Sequence, residues 1–285
     1  MKGSLKELLI VIASVLFLSL AIIAYFRAVG KEKANSHPDA VYTLVPPGAH
    51  TLVAINRPLV FNAMMNHPSF RRLISAEIPG IYQAVINAGQ QASLIVFSFH
   101  PQGIVCYVQS GARTTGAITG DLLPGKFMPY PPQRQTAGGI DFYYYPDTGS
   151  RFFGYYVHNG IWAGSYSRRL LEQAAAQQQA GDILLPAGMD RLRTSFNVNE
   201  PVNLIFRAGE LGLSDTGYLS ADLYMSSGNI YCRGRIPYEA VASLPYASVG
   251  DTLSGLIENK YPYLQFAFQI EREDEYVSYT GWAPR

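Results

Sequence analysis

Residues 140–165 read IDFYYYPDTGSRFFGYYVHNGIWAGS, and this stretch decides the fold. Three runs rich in aromatic and β-branched residues, 140–145, 151–158 and 161–165, are separated by two turn signals. The first is Pro146-Asp147-Thr148-Gly149 and the second is Asn159-Gly160. Aromatic and β-branched side chains suit a pleated, half-buried surface. Asn-Gly supplies the two positive φ values that a type I′ hairpin turn demands. The stretch therefore predicts an antiparallel meander.

The same grammar extends upstream. A hairpin is expected from 93–100 and 104–110 around Pro101-Gln102-Gly103. Thr51-Leu52-Val53-Ala54-Ile55-Asn56 reads as a short buried strand, entered through Val45-Pro46-Pro47-Gly48. Between them lie three short helical patterns, each with a start signal: Asn56 before Pro58, Pro68-Ser69 before Phe70, and Pro79-Gly80 before Ile81. Residues 114–138 are rich in Gly, Pro and Thr and read as a long excursion without regular structure. Downstream of the meander, Ser167 caps a helix over 168–179 whose apolar face is Leu170, Leu171, Ala174 and Ala175, with Gly181 as its stop.

A second half begins near Met189 and repeats parts of this plan. Val202-Asn203-Leu204-Ile205-Phe206 parallels the strand at 52–55. Residues 222–226, a turn at Ser227-Gly228-Asn229 and Ile230-Tyr231-Cys232 parallel the first hairpin, which aligns Cys106 with Cys232. Leu264, Phe266, Phe268 and Ile270 alternate with polar or small residues, a period-two strand followed by another at 276–281. The expected fold is α+β: a mostly antiparallel twisted sheet with short helices on one face and a two-fold internal repeat, halves 45–185 and 186–285.

Ahead of this body, residues 8–26 read LLIVIASVLFLSLAIIAYF. Nineteen uncharged residues span roughly 28 Å as a helix, close to the thickness of a bilayer core. That is too long for the apolar core of a cleaved signal peptide, so Ala28-Val29-Gly30 is not read as a cleavage site. The expected organisation is an N-terminal transmembrane helix within 1–30, anchored through residues such as Leu8, Phe17 and Phe26, a connector at 31–44, and a folded domain at 45–285. Lys2 and Lys6 before the span and Arg27, Lys31 and Lys33 after it leave its orientation unset.

Composition narrows function by exclusion. Of the 285 residues only 15% are charged and the net charge is +1, so there is no electrostatic footprint for nucleic acid. Two cysteines fit neither a disulfide scaffold nor a metal motif, and they read as two free, buried thiols. Gly120 to Lys126 imitates a phosphate-binding loop, but Phe127 stands where the magnesium-binding hydroxyl belongs. The five histidines (His37, His50, His67, His100 and His158) are scattered without metal-ligand spacing. Glu271, Glu273, Asp274 and Glu275 read as a charged hairpin tip, and no Gly-x-Ser-x-Gly elbow is present. No catalytic residue, cofactor or metal is expected.

Phe142-Tyr143-Tyr144-Tyr145 and Phe152-Phe153-Gly154-Tyr155-Tyr156 put rings on both faces of adjacent strands. One face must be core. The other is either covered by helices or forms a partner surface through Tyr143, Tyr145 and Tyr155. Asn-Gly-Ile-Trp-Ala-Gly-Ser-x-Ser at 159–167, the Leu-Leu-Glu helix after it, Tyr218-Leu219-Ser220-Ala221-Asp222-Leu223, Asn229-Ile230 and Gly234 resemble a family of membrane-anchored exported bacterial proteins, a domain of unknown function. The likeness covers most of 45–235, with Tyr218 where relatives often carry Trp. It implies a periplasmic body on a single-pass inner-membrane anchor and supplies no catalytic residues. The expectation that follows is a non-enzymatic envelope protein whose domain binds a protein partner. A lipid- or glycan-binding domain using the Tyr/Phe-rich strands, and a hydrolase without a recognisable motif, are the alternatives. A large apolar cavity favours lipid binding, a flat aromatic patch favours a protein partner, and clustered acid/base residues favour a hydrolase.

Overall fold

The computed structural model describes residues 39–180, 182–213, 217–273 and 275–283. Residues 8–26, with Leu8, Phe17 and Phe26, lie outside the described residues, as does Gly181. Among the described residues no helix is long and apolar enough to cross a membrane.

Twelve strands form one sheet in which every pairing is antiparallel. In chain order they are β1 (Thr51–Ile55), β2 (Leu94–His100), β3 (Gly103–Gln109), β4 (Gln133–Ala137), β5 (Ile140–Pro146), β6 (Phe152–His158), β7 (Ile161–Ser165), β8 (Val202–Arg207), β9 (Tyr218–Ser226), β10 (Asn229–Pro237), β11 (Ala267–Arg272) and β12 (Tyr276–Ala283). Their order across the sheet is β11-β12-β10-β9-β8-β1-β2-β3-β7-β6-β5-β4. At the middle β1 and β8 run antiparallel with Val53 opposite Leu204. Outward from that pair the hairpin β2–β3 lies on one side and β9–β10 on the other, each followed by a meander. Both predicted tight turns form: Asn159 and Gly160 have φ of 50° and 75°, and Ser227 and Gly228 have 51° and 81°.

Helices cover both faces of the sheet, which corrects the expectation of a single covered face. One face carries the helices Pro58–Met64, Pro68–Glu77 and Gly80–Ala88, the 112–127 segment and Val249–Lys260. The opposite face carries Asp39–Tyr42, Arg168–Ala180 and Ala187–Thr194. The cause lies in the strands. β7 is buried at all five positions and β2 at six of seven, so neither alternates with solvent and each needs cover on both sides.

The 114–138 stretch is also corrected, because it begins as a helix. Ala112–Gly116 continues through a π-helical segment, Ala117–Leu122, into Leu123–Phe127, and only then does the edge strand β4 follow. The buried residues are Thr114, Ile118, Leu123 and Phe127, at spacings of four, five and four. The wider turn absorbs the extra residue and keeps all four side chains on the sheet.

Cys106 and Cys232 are both free and buried. Each faces a glycine on the next strand, Gly164 for Cys106 and Gly281 for Cys232. Cys106 is on β3 and Cys232 on β10, five strand intervals apart. At about 4.8 Å per interval that is roughly 24 Å, far beyond the ~7 Å that a disulfide tolerates.

Candidate functional site

The β1–β2 and β8–β9 connections treat the first face differently. Between β1 and β2 the chain inserts three helices, and the Gly80–Ala88 helix drives Tyr82 into a ring cluster with Phe97 and Phe153. Between β8 and β9 the described residues hold a single 3₁₀ turn, Ala208–Leu211, and none of them forms a longer helix in the space above β8, β9 and β10. The space is roofed from its sides instead, by Pro68–Glu77 and Val249–Lys260, and a cavity of about 250 Å³ remains beneath them.

The floor of the cavity is the sheet. Val53, Leu204, Leu219, Ala221, Leu223 and Cys232 line it, and Phe70, Ile74, Leu253 and Ile257 close it from above. Leu219, Ala221 and Leu223 share a face because side chains alternate along β9. The deep polar atoms are accounted for. Tyr279 donates its hydroxyl to the carbonyl of Ser220 at 2.7 Å, and burial holds that phenol un-ionised. Burial also pushes the Cys232 thiol up to about 12, so it stays protonated and is no nucleophile.

Charge is confined to the rim. His50 Nδ1 sits 3.7 Å from Glu210 Oε1, and Tyr261 donates its hydroxyl to Glu77 Oε1 at 2.6 Å. Lys260 Nζ lies 5.4 Å over the Tyr261 ring. Burial raises the Tyr261 pKa, the hydrogen bond to Glu77 raises it further, and the charge on Glu210 adds to both. The arrangement suits a molecule with an apolar body and a polar end.

The Tyr143, Tyr145 and Tyr155 trio is brought together elsewhere. Tyr143 stacks on Tyr155 at 5.1 Å, Tyr155 on Tyr145 at 6.3 Å, and Phe127 covers Tyr145 at 5.1 Å. Tyr145 and Tyr155 are buried and only Tyr143 is half-exposed. These rings are packed against the 112–127 segment as core. His67 caps the Pro68–Glu77 helix, accepting from the backbone N–H of Phe70. His100 is buried on the opposite face, its Nε2 2.9 Å from Ser98 Oγ, and desolvation with neighbouring His50 lowers its pKa to about 4. Among the described residues no group of His, Cys, Asp and Glu is placed to hold a metal ion.

Sequence reasoning missed the cavity residues. The alternation of Leu219, Ala221 and Leu223 marks a buried face, but periodicity cannot say whether the space above that face is filled.

No family model and no curated protein matches the chain. Among solved structures it is similar to crystal form I of TP0453, with a TM-score of 0.50 and 12% identity over 86% of this chain and 92% of that one. Crystal form III of TP0453 aligns with a TM-score of 0.48 at 12% identity, over 85% and 93% of the two chains. At this identity the likeness concerns the fold alone.

Proposed function

We propose that the domain is a non-enzymatic binder of an apolar molecule, held at a membrane by residues 8–26 with its body on the periplasmic side. The observation that carries this reading is the cavity of about 250 Å³ between the sheet and two helices, walled by aliphatic and aromatic side chains with charge at the rim alone. Ligand sites are typically concave and mostly apolar, with a few polar groups that fix orientation. A protein-partner surface built on Tyr145 and Tyr155 has less support, since both rings are buried. A hydrolytic reading has less support as well, since the thiol and the phenol deep in the cavity are both held protonated by burial and the His50–Glu210 pair stands at the rim.

The test compares the full-length protein with its Ala221→Phe variant, each purified from native membranes into amphipol. Ala221 is 5% exposed on the cavity floor, and a phenyl group there occupies the space a ligand needs. Organic extraction followed by mass spectrometry is expected to release an apolar compound from the wild type and little from the variant. Equal recovery from the two proteins would count against the cavity as the site.

A further inference from the structure

We infer that the cavity, on the reading just given, takes a single-chain amphiphile whose head donates hydrogen bonds and carries no negative charge. The volume sets the number of chains. At ~30 Å³ for each water-sized group, the cavity holds on the order of eight such groups. The inner part of one alkyl chain, with its head left at the mouth, meets that number, and two chains exceed it. The chain belongs at the depth of Leu219, Leu223 and Cys232, where the wall offers no unsatisfied polar partner.

The rim sets the head. Glu77 and Glu210 both act on the Tyr261 hydroxyl at the mouth. An anionic head would meet two carboxylates there, one of them already engaged by a phenol. A head with O–H or N–H groups instead finds those carboxylate oxygens as acceptors, with the Lys260 ammonium nearby over the Tyr261 ring. Charge at the mouth thus selects against an anionic head.

The test uses the full-length protein in amphipol and a monoacylglycerol carrying a photoreactive diazirine near the end of its chain. Crosslinked residues are mapped by mass spectrometry, with unlabelled monolauroylglycerol, laurate, dodecylamine and dilauroylglycerol as competitors at pH 8. Crosslinks are expected on β9 and β10 residues that line the floor. Monolauroylglycerol and dodecylamine are expected to compete at concentrations about tenfold below those of laurate and dilauroylglycerol. In the Glu77→Gln/Glu210→Gln variant, whose substitutions lie at the exposed rim, laurate should come within about threefold of monolauroylglycerol. Laurate competing as well as monolauroylglycerol on the wild type would overturn the head-group inference, and so would an unchanged laurate gap in the variant. Equal competition by dilauroylglycerol would overturn the single-chain inference. Absence of floor crosslinks from any probe would instead remove the cavity-binding reading itself.

Discussion

Gly164 and Gly281 occupy matching places opposite the two cysteines, and neither needs glycine for its backbone angles. Each is required because a ring lies where a Cβ would be. A Cβ on Gly164 would collide with the Trp162 ring and sit 3.0 Å from Phe153, both fully buried. A Cβ on Gly281 would collide with Phe268, which is only half-buried and can swing outward. Overpacking a rigid core costs about 1–3 kcal/mol. Gly164→Ala is therefore expected to lose roughly 2–3 kcal/mol in urea unfolding, and Gly281→Ala less than half of that. His100 makes a second prediction at this scale. Its imidazole is neutral in the folded protein down to about pH 4, while the unfolded chain takes up the proton near 6.5. The unfolded state therefore binds more protons between those values, and stability must fall as pH drops from about 6.5 to 4. The loss should be on the order of 2 kcal/mol and should shrink in His100→Gln, which keeps a partner for Ser98. A wild-type stability flat across that window would contradict the burial of a neutral ring.

Among the elements, the legible ones announced themselves through local chemistry. Asn159-Gly160 makes its turn because both residues accept positive φ, and the three helices between β1 and β2 begin at or next to their Pro or Pro-Gly signals. The 112–127 segment was not legible, because its buried residues fall at four, five and four and match neither the helical nor the strand period. Its Gly, Pro and Thr content then pointed to a loop. The π turn explains both the misreading and a test. Gly120 is exposed within it, and deleting that residue restores a regular spacing of four throughout. The deletion variant is expected to keep its fold, with a melting temperature within a few degrees of wild type and an undiminished far-UV helical signal. Loss of cooperative unfolding would mean that the π segment does more than absorb one residue.

For the whole molecule, antiparallel pairing and the paired hairpins could be read from alternation and turns, whereas the layering could not. Strands β2 and β7 are almost fully buried, and that property calls for cover on both faces. The apolar runs Leu94-Ile95-Val96-Phe97 and Ile161-Trp162-Ala163 carried that signal, but the helices that provide the cover are distant in sequence. The cavity was invisible for a related reason. It arises because three helices are inserted between β1 and β2 while the described residues between β8 and β9 hold one 3₁₀ turn, and the roof comes from two helices far apart in sequence. On the reading proposed above, this space binds a ligand. A ligand at about 100 times its Kd stabilises the folded state by ~2.7 kcal/mol, which for a domain of this size is a rise of about 5–10 °C in Tm. The most direct measurement is thermal unfolding of the full-length protein in amphipol with and without saturating monolauroylglycerol, beside Ala221→Phe. A rise of that size in the wild type and none in Ala221→Phe is the predicted result, whereas an equal rise in both, or none in either, would contradict the claim.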